Sequence, residues 1–130
     1  MSALDIVVLA VAVLFGLVIG SFLSVLVTRL PEGEPIAMAR SRCPRCGRTL
    51  SPAELIPLLS WLVQRGRCRA CGGGISLFYP AMEVAAALVA VAAIVLFPWP
   101  ALVAICLVGW ALLGLGAWAV RRLVLGHRPD

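Results

Sequence analysis

Three apolar runs in this 130-residue chain are each long enough to cross a lipid bilayer, and they leave little sequence for anything else. Residues 4 to 28 carry one charge, Asp5. At ~1.5 Å of rise per helical residue, such a run exceeds a hydrocarbon core of about 30 Å. Two further runs, 81 to 97 and 101 to 120, are joined by the short segment Phe97-Pro98-Trp99-Pro100, which requires an antiparallel pair. The second is entered through Tyr79-Pro80, where proline suits a first helical turn. A content of 62% hydrophobic and 13% charged residues, with mean hydropathy +1.06, excludes an ordinary soluble domain. The predicted fold class is an all-α membrane protein with three transmembrane helices. Its expected divisions are helix 1 at 1–28, an extramembrane loop at 29–79, helix 2 at 80–98, helix 3 at 99–120 and a tail at 121–130. A cleaved signal peptide fits the first run poorly, since no basic residue precedes it and no small-x-small cleavage site precedes the polar loop. Gly16, Gly20 and Ser24 recur at four-residue steps on one face of that run, where small side chains admit a neighbouring helix.

The net charge of +5 is carried by arginine alone, and eight of the eleven arginines lie between Arg29 and Arg69. Arginine excess in a short loop beside membrane spans marks the cytoplasmic side. The loop and the tail, which begins Arg121-Arg122, are therefore expected in the cytosol and the N-terminus outside. Topology accounts for these charges, so membrane lipid is the expected partner and nucleic acid is not.

Within the loop, Cys43-Pro44-Arg45-Cys46 and Cys68-Arg69-Ala70-Cys71 are separated by 21 residues. Two such pairs at this spacing supply four thiolates to one tetrahedral Zn²⁺ with no position left open, which makes the metal structural. The metal ligands are thus expected to be Cys43, Cys46, Cys68 and Cys71, with Gly47 letting the backbone turn its amides toward sulfur. Two disulfides are disfavoured because cytosolic thiols stay reduced, and a redox sensor because thiolates in a closed site are inert. Between the pairs, Leu55, Ile56, Leu58, Leu59, Trp61 and Leu62 form an apolar patch too short to span, read as a short helix on the zinc unit or at the membrane surface. The loop has few apolar residues, so metal binding is expected to supply much of its folding energy. Cys106 is read as a small buried hydrophobe, Trp110 as a packing residue, Trp99 as an interfacial anchor and His127 as solvated. Glu83, near the start of the second helix, either contacts a basic substrate or complements that helix's N-terminus.

Taken in order, "GSFLSVLVTRLP", "SRCPRCGRTL", "IPLLSWL" and "RGRCRACGGGISLFYPAMEVAAAL" resemble the N-terminal region of type IV prepilin peptidases, over roughly residues 16 to 90. The resemblance implies a bacterial inner-membrane enzyme of type IV pilus and type II secretion systems. Such an enzyme removes a basic leader from prepilins and methylates the new N-terminal amine with S-adenosylmethionine. It also implies that the four cysteines bind zinc, and that cleavage depends on two aspartates, one in a GxGD motif. Here the acidic residues are Asp5, Glu32, Glu34, Glu54, Glu83 and Asp130, and none lies in such a motif. Ser24 and Leu55 stand where relatives commonly carry asparagine, and Thr28 where an aromatic is frequent. No catalytic residue is therefore assigned. The expected function is that of a prepilin peptidase N-terminal domain, active in leader processing and N-methylation with a separate chain carrying the aspartates. The alternative is a non-catalytic, zinc-stapled membrane scaffold.

Overall fold

In the computed structural model, residues 2–33, 36, 40–98 and 101–125 are described, and Glu34, Trp99 and His127 lie outside them. Helix α1 spans Ala3–Arg29 and continues as a 3₁₀ turn at Leu30–Glu32. The loop holds a second 3₁₀ turn at Pro52–Leu55 and the short helix α2 at Leu59–Val63. Helix α3 spans Phe78–Leu96 and α4 spans Leu102–Leu125. The described residues form no strands beyond two isolated bridges, so the protein is all-α, and α1, α3 and α4 are long and apolar enough to cross a membrane.

Asp5, the one charge in the first run, belongs to a cap. The Ser2 amide donates to Asp5 Oδ2 at 2.7 Å and the Asp5 amide donates to Ser2 Oγ at 3.2 Å, a reciprocal box that satisfies two donors of the helix start. The far end stops at Pro31 and at Gly33, whose φ of +67° suits a residue without a β-carbon.

Helices α1 and α3 meet through backbone. A β-carbon on Gly16 would lie 2.5 Å from Ala87 Cα, and one on Gly20 would lie 2.5 Å from Glu83 Cα. The opposing face of α3 is Met82, Glu83, Ala86, Ala87, Ala90 and Ala93, all buried, so small residues on both helices let the two chains approach. Ser24 closes the α1 stripe, buried, with its hydroxyl donating to the Ser21 carbonyl at 2.7 Å. Helix α4 leans on this pair through Trp110, whose Nε1 donates to the Ala86 carbonyl at 2.9 Å and whose ring packs on Phe15 at 5.7 Å. Cys106 is half-buried against the same cluster. Elsewhere α1 and α4 present exposed Leu, Val and Phe side chains, the surface a lipid-solvated bundle requires.

Helix α4 runs past the end expected at residue 120. Arg121 pairs with Glu32 at 2.9 Å and Arg122 lies over the Trp118 ring at 4.9 Å, so both cations have a partner while their backbone stays helical.

Gly20→Ala forces a methyl group into the backbone of α3 and is expected to cost about 1–3 kcal/mol of stability. Gly116→Ala, at a helical site with nothing within 4 Å, is expected to be neutral or better. Thermal unfolding of the two variants in detergent tests the contrast.

Candidate metal centre and the cavity beside it

The two cysteine pairs fold as two copies of one hook. In the first, the Cys43 amide donates to the Arg48 carbonyl at 2.9 Å and the Gly47 amide to the Cys43 carbonyl at 2.9 Å. In the second, the Cys68 amide donates to the Gly73 carbonyl at 2.8 Å and the Gly72 amide to the Cys68 carbonyl at 2.9 Å. Each hook closes with a bridge, Arg42 to Thr49 and Arg67 to Gly74. Gly47 and Gly72 have φ of +70° and +68° with open space around them, so backbone conformation and not room selects glycine there.

The four Sγ atoms lie within 4.8 Å of one another, with Cys43 and Cys71 at 3.7 Å. A tetrahedral ion with metal–sulfur bonds of about 2.3 Å sets its sulfurs about 3.8 Å apart, so the donor set can hold a metal ion. All four cysteines are free; Cys43 and Cys68 are buried, Cys46 and Cys71 exposed. The amides of Cys71 and Ala70 pull the Cys68 thiol down to about 6. Those of Cys46 and Arg45 lower Cys43 in the same way. At Cys71 the Gly73 amide donates to sulfur, but local desolvation of the sulfur within the cluster and the three neighbouring sulfurs prevail and push the thiol up to about 11. Each hook thus favours one thiolate, and four together require a cation between them.

Outside the sulfurs sits a pair that the spacing of the cysteines did not reveal. Arg48 Nη2 donates to Glu54 Oε1 at 2.5 Å, and Glu54 beside it and the Cys68 sulfur both hold the guanidinium in its charged form. Glu54 in turn accepts from the Ser51 amide at 2.9 Å and the Ser51 hydroxyl at 3.0 Å, the capping box of the Pro52–Leu55 turn. The Ser51 amide and then Arg48 draw the Glu54 carboxyl down to about 2. A depressed carboxyl stabilises the fold fully above its ordinary value of about 4.5 and loses that contribution as pH falls toward 2. The Ser-x-x-Glu pattern that announces this turn is present in the sequence.

Glu83 is the sixth residue of α3, because the helix starts at Phe78 and carries Pro80 at its third position. It therefore lies beyond the first turn, and its reading as a complement to the helix N-terminus does not hold. Its Oε2 accepts the Leu58 amide at 2.5 Å, which fastens the loop to the membrane helices. Leu58 has φ +58° and ψ −51°, and the Leu59 amide reaches the Pro57 carbonyl at 2.6 Å, so Glu83 holds the centre of a strained γ-turn. Beyond that turn, Trp61 Nε1 donates to the Ile75 carbonyl at 3.1 Å and the indole covers Gly66. The loop apolar patch is mostly outward, with Leu55, Ile56, Leu59 and Leu62 exposed.

Between the loop and the membrane helices lies a cavity of about 640 Å³. Its α1 wall includes Ser21, Ser24 and Thr28, continued by Glu32 of the 3₁₀ turn, and its α3 wall includes Tyr79 and Glu83. Ser24 and Thr28, two of the positions where asparagine or an aromatic is expected by resemblance, both line it, as does Leu55.

The family described as the bacterial peptidase A24 N-terminal domain matches residues 14–97. A prepilin leader peptidase/N-methyltransferase of Myxococcus xanthus (strain DK1622) is 47% identical over 109 residues, covering 79% of this chain and 32% of that protein. The protein of the same description from Bacillus subtilis (strain 168) is 49% identical over 79 residues, covering 61% and 32%. A type 4 prepilin-like proteins leader peptide-processing enzyme of Escherichia coli O78:H11 is 37% identical over 130 residues, covering 85% and 45%. The chain spans between about a third and a little under half of the length of these relatives. No solved structure matches it.

Cys43→Ser or Cys68→Ser is expected to abolish stoichiometric metal and to open the loop to protease, while α1, α3 and α4 stay inserted. Metal analysis together with limited proteolysis in detergent checks this, and an equally protected loop in either variant contradicts it.

Proposed function

Because the chain belongs to the bacterial peptidase A24 N-terminal domain family, we propose that it serves as the N-terminal membrane portion of a prepilin leader peptidase/N-methyltransferase. In this reading it takes part in leader removal and N-methylation of prepilin-like substrates, and a partner half supplies the two catalytic aspartates. The observation that carries it is the four-sulfur cluster, set between membrane helices inside the matched region. The ion is Zn²⁺, since an all-thiolate closed set suits zinc and leaves no position for substrate. Its role is to fold the loop.

The acids among the described residues are each engaged in holding the structure. Asp5 caps α1, Glu32 holds Arg121, Glu54 holds Arg48 and Glu83 holds Leu58. Each of these four carboxylates is engaged by a different partner, and an aspartyl dyad needs two that share one proton. A peptidase half that carries those aspartates is part of the proposal, and S-adenosylmethionine enters only through the family.

The protein is a multi-pass membrane protein. We place it in the bacterial cytoplasmic membrane with the N-terminus outside and the cysteine loop and C-terminal end inside, which puts eight arginines on the cytosolic face. The engagement of each described carboxylate by its own partner favours one second reading, a non-catalytic scaffold that docks partners through the loop.

An assay of prepilin processing separates the two. The purified chain in detergent is expected to be silent alone and to support cleavage or methylation when mixed with an aspartate-bearing half from the same organism. Silence in both arms selects the scaffold.

A further inference from the structure

Helix α2 is amphipathic in the reverse sense to a helix on a water-facing domain. Leu59, Leu62 and Val63 share one helix face and are 55%, 55% and 63% exposed. The other side carries Ser60, Trp61 and Gln64, which line the cavity, with Gln64 Nε2 donating to the Ser60 carbonyl at 3.0 Å. The turn before it repeats the pattern, with Glu54 buried while Leu55 and Ile56 are exposed. A single exposed leucine is ordinary, but five large apolar side chains turned outward over a polar interior suit a surface whose solvent is lipid.

The placement of α2 agrees. Glu83 Oε2 accepts the Leu58 amide, and Glu83 lies five residues, ~8 Å, along α3 from Phe78. The short helix therefore starts at the level of the second turn of a membrane span. At that level α3 exposes Val84, and one turn on Leu88, so α2 meets α3 where the span's own surface turns to lipid.

The charges around the face fit the same solvent. No charged residue lies between Glu54 and Arg65, and the chain beyond the helix presents Arg65 and Arg67, both exposed. An apolar face bounded by arginine matches an interface where acyl chains give way to anionic headgroups. Arg65 sits at φ +52° just past the helix, with its amide reaching the Leu62 carbonyl at 3.0 Å, a position that glycine usually fills. An arginine is kept there against the preference of the backbone, which points to a use for its side chain.

We infer that α2 is an interfacial helix. Leu55, Ile56, Leu59, Leu62 and Val63 seat in the lipid leaflet at the loop end of the bundle, and Arg65 and Arg67 meet the phosphates of its anionic lipids. The helix is then a partition, with its polar side forming a wall of the cavity and its apolar side facing acyl chains. Lipid seating needs only the membrane placement of the chain, so silence in the processing assay leaves it standing.

The test is photocrosslinking of the full metal-loaded chain in phosphatidylcholine vesicles, with and without phosphatidylglycerol. A benzophenone amino acid replaces Leu62 or, on the opposite side of α2, Ser60, and retained metal shows that each variant folds. Phospholipid adducts from position 62 are expected at about tenfold or more the yield from position 60. Equal yields, or no adduct from position 62, overturn the proposal. A covalent dimer from position 62 overturns it in favour of a second copy. An adduct that moves from lipid to an aspartate-bearing half, when that half is reconstituted alongside, overturns it in favour of that partner. Arg65→Gly relieves the backbone and removes one charge, so the share of phosphatidylglycerol among the adducts is expected to fall roughly fivefold without loss of metal. An unchanged share contradicts the headgroup contact. Should the benzophenone at position 62 disrupt the loop, the triple variant Leu59→Gln, Leu62→Gln, Val63→Gln takes its place, read by trypsin cleavage after Arg65 in vesicles. Cleavage about tenfold faster in a protein that keeps its metal is expected, and an unchanged or slower rate contradicts lipid seating.

Discussion

The contact of α1 with α3 at Gly16 and Gly20 is the constraint from which the rest follows. Two backbones meeting where a single β-carbon would clash at 2.5 Å leave no freedom in their register. That register sets where the loop leaves the bilayer at Arg29 and where it returns at Phe78. It also presses Glu83 against α1 and holds Ser21, Ser24 and Thr28 opposite the returning chain. Small residues are needed because lipid offers no hydrophobic drive for helices to associate, so close packing and carbonyl contacts supply the attraction. Trp110 extends the same logic to α4, by donating to a carbonyl that only a face of alanines leaves accessible.

The loop obeys different physics. Its large apolar side chains Leu55, Ile56, Leu59 and Leu62 point outward, so burial contributes little. What closes it is electrostatic: two hooks whose amides stabilise thiolates, Arg48 lying between Cys68 and Glu54, and Glu83 reaching from the membrane helix to Leu58. Arg48 is placed beside the Cys68 sulfur, where a cluster of thiolates calls for a neighbouring cation. These are local, polar and directional forces, which suits a segment that must hold one shape with almost no core.

How much of this could be read from residues depends on how local each cause is. The spans were legible from apolar length, and the four cysteines because each hook is a turn of a few residues with its glycine in place. Asp5 was legible only as a charge, although Ser2 three residues earlier already specifies a cap. The end of α4 was misjudged because two arginines look like a stop, whereas Glu32, 89 residues away, keeps Arg121 within the helix. Glu83 was misplaced by a proline taken as the start of α3. Proline is as well tolerated at the third position, whose amide has no partner inside the helix in any case. The cavity has no signature in sequence at all, since its walls come from three helices and both arms of the loop.

Leu58 shows how closely the loop and the bundle are tied. A leucine at φ +58° carries about 1–3 kcal/mol of strain, and it persists only where its surroundings compel it. The compelling group is Glu83, whose Oε2 accepts the Leu58 amide at the centre of the turn. The Ser21 hydroxyl of α1 bonds the same carboxyl group, so Glu83 ties the loop, α3 and α1 together at one buried side chain.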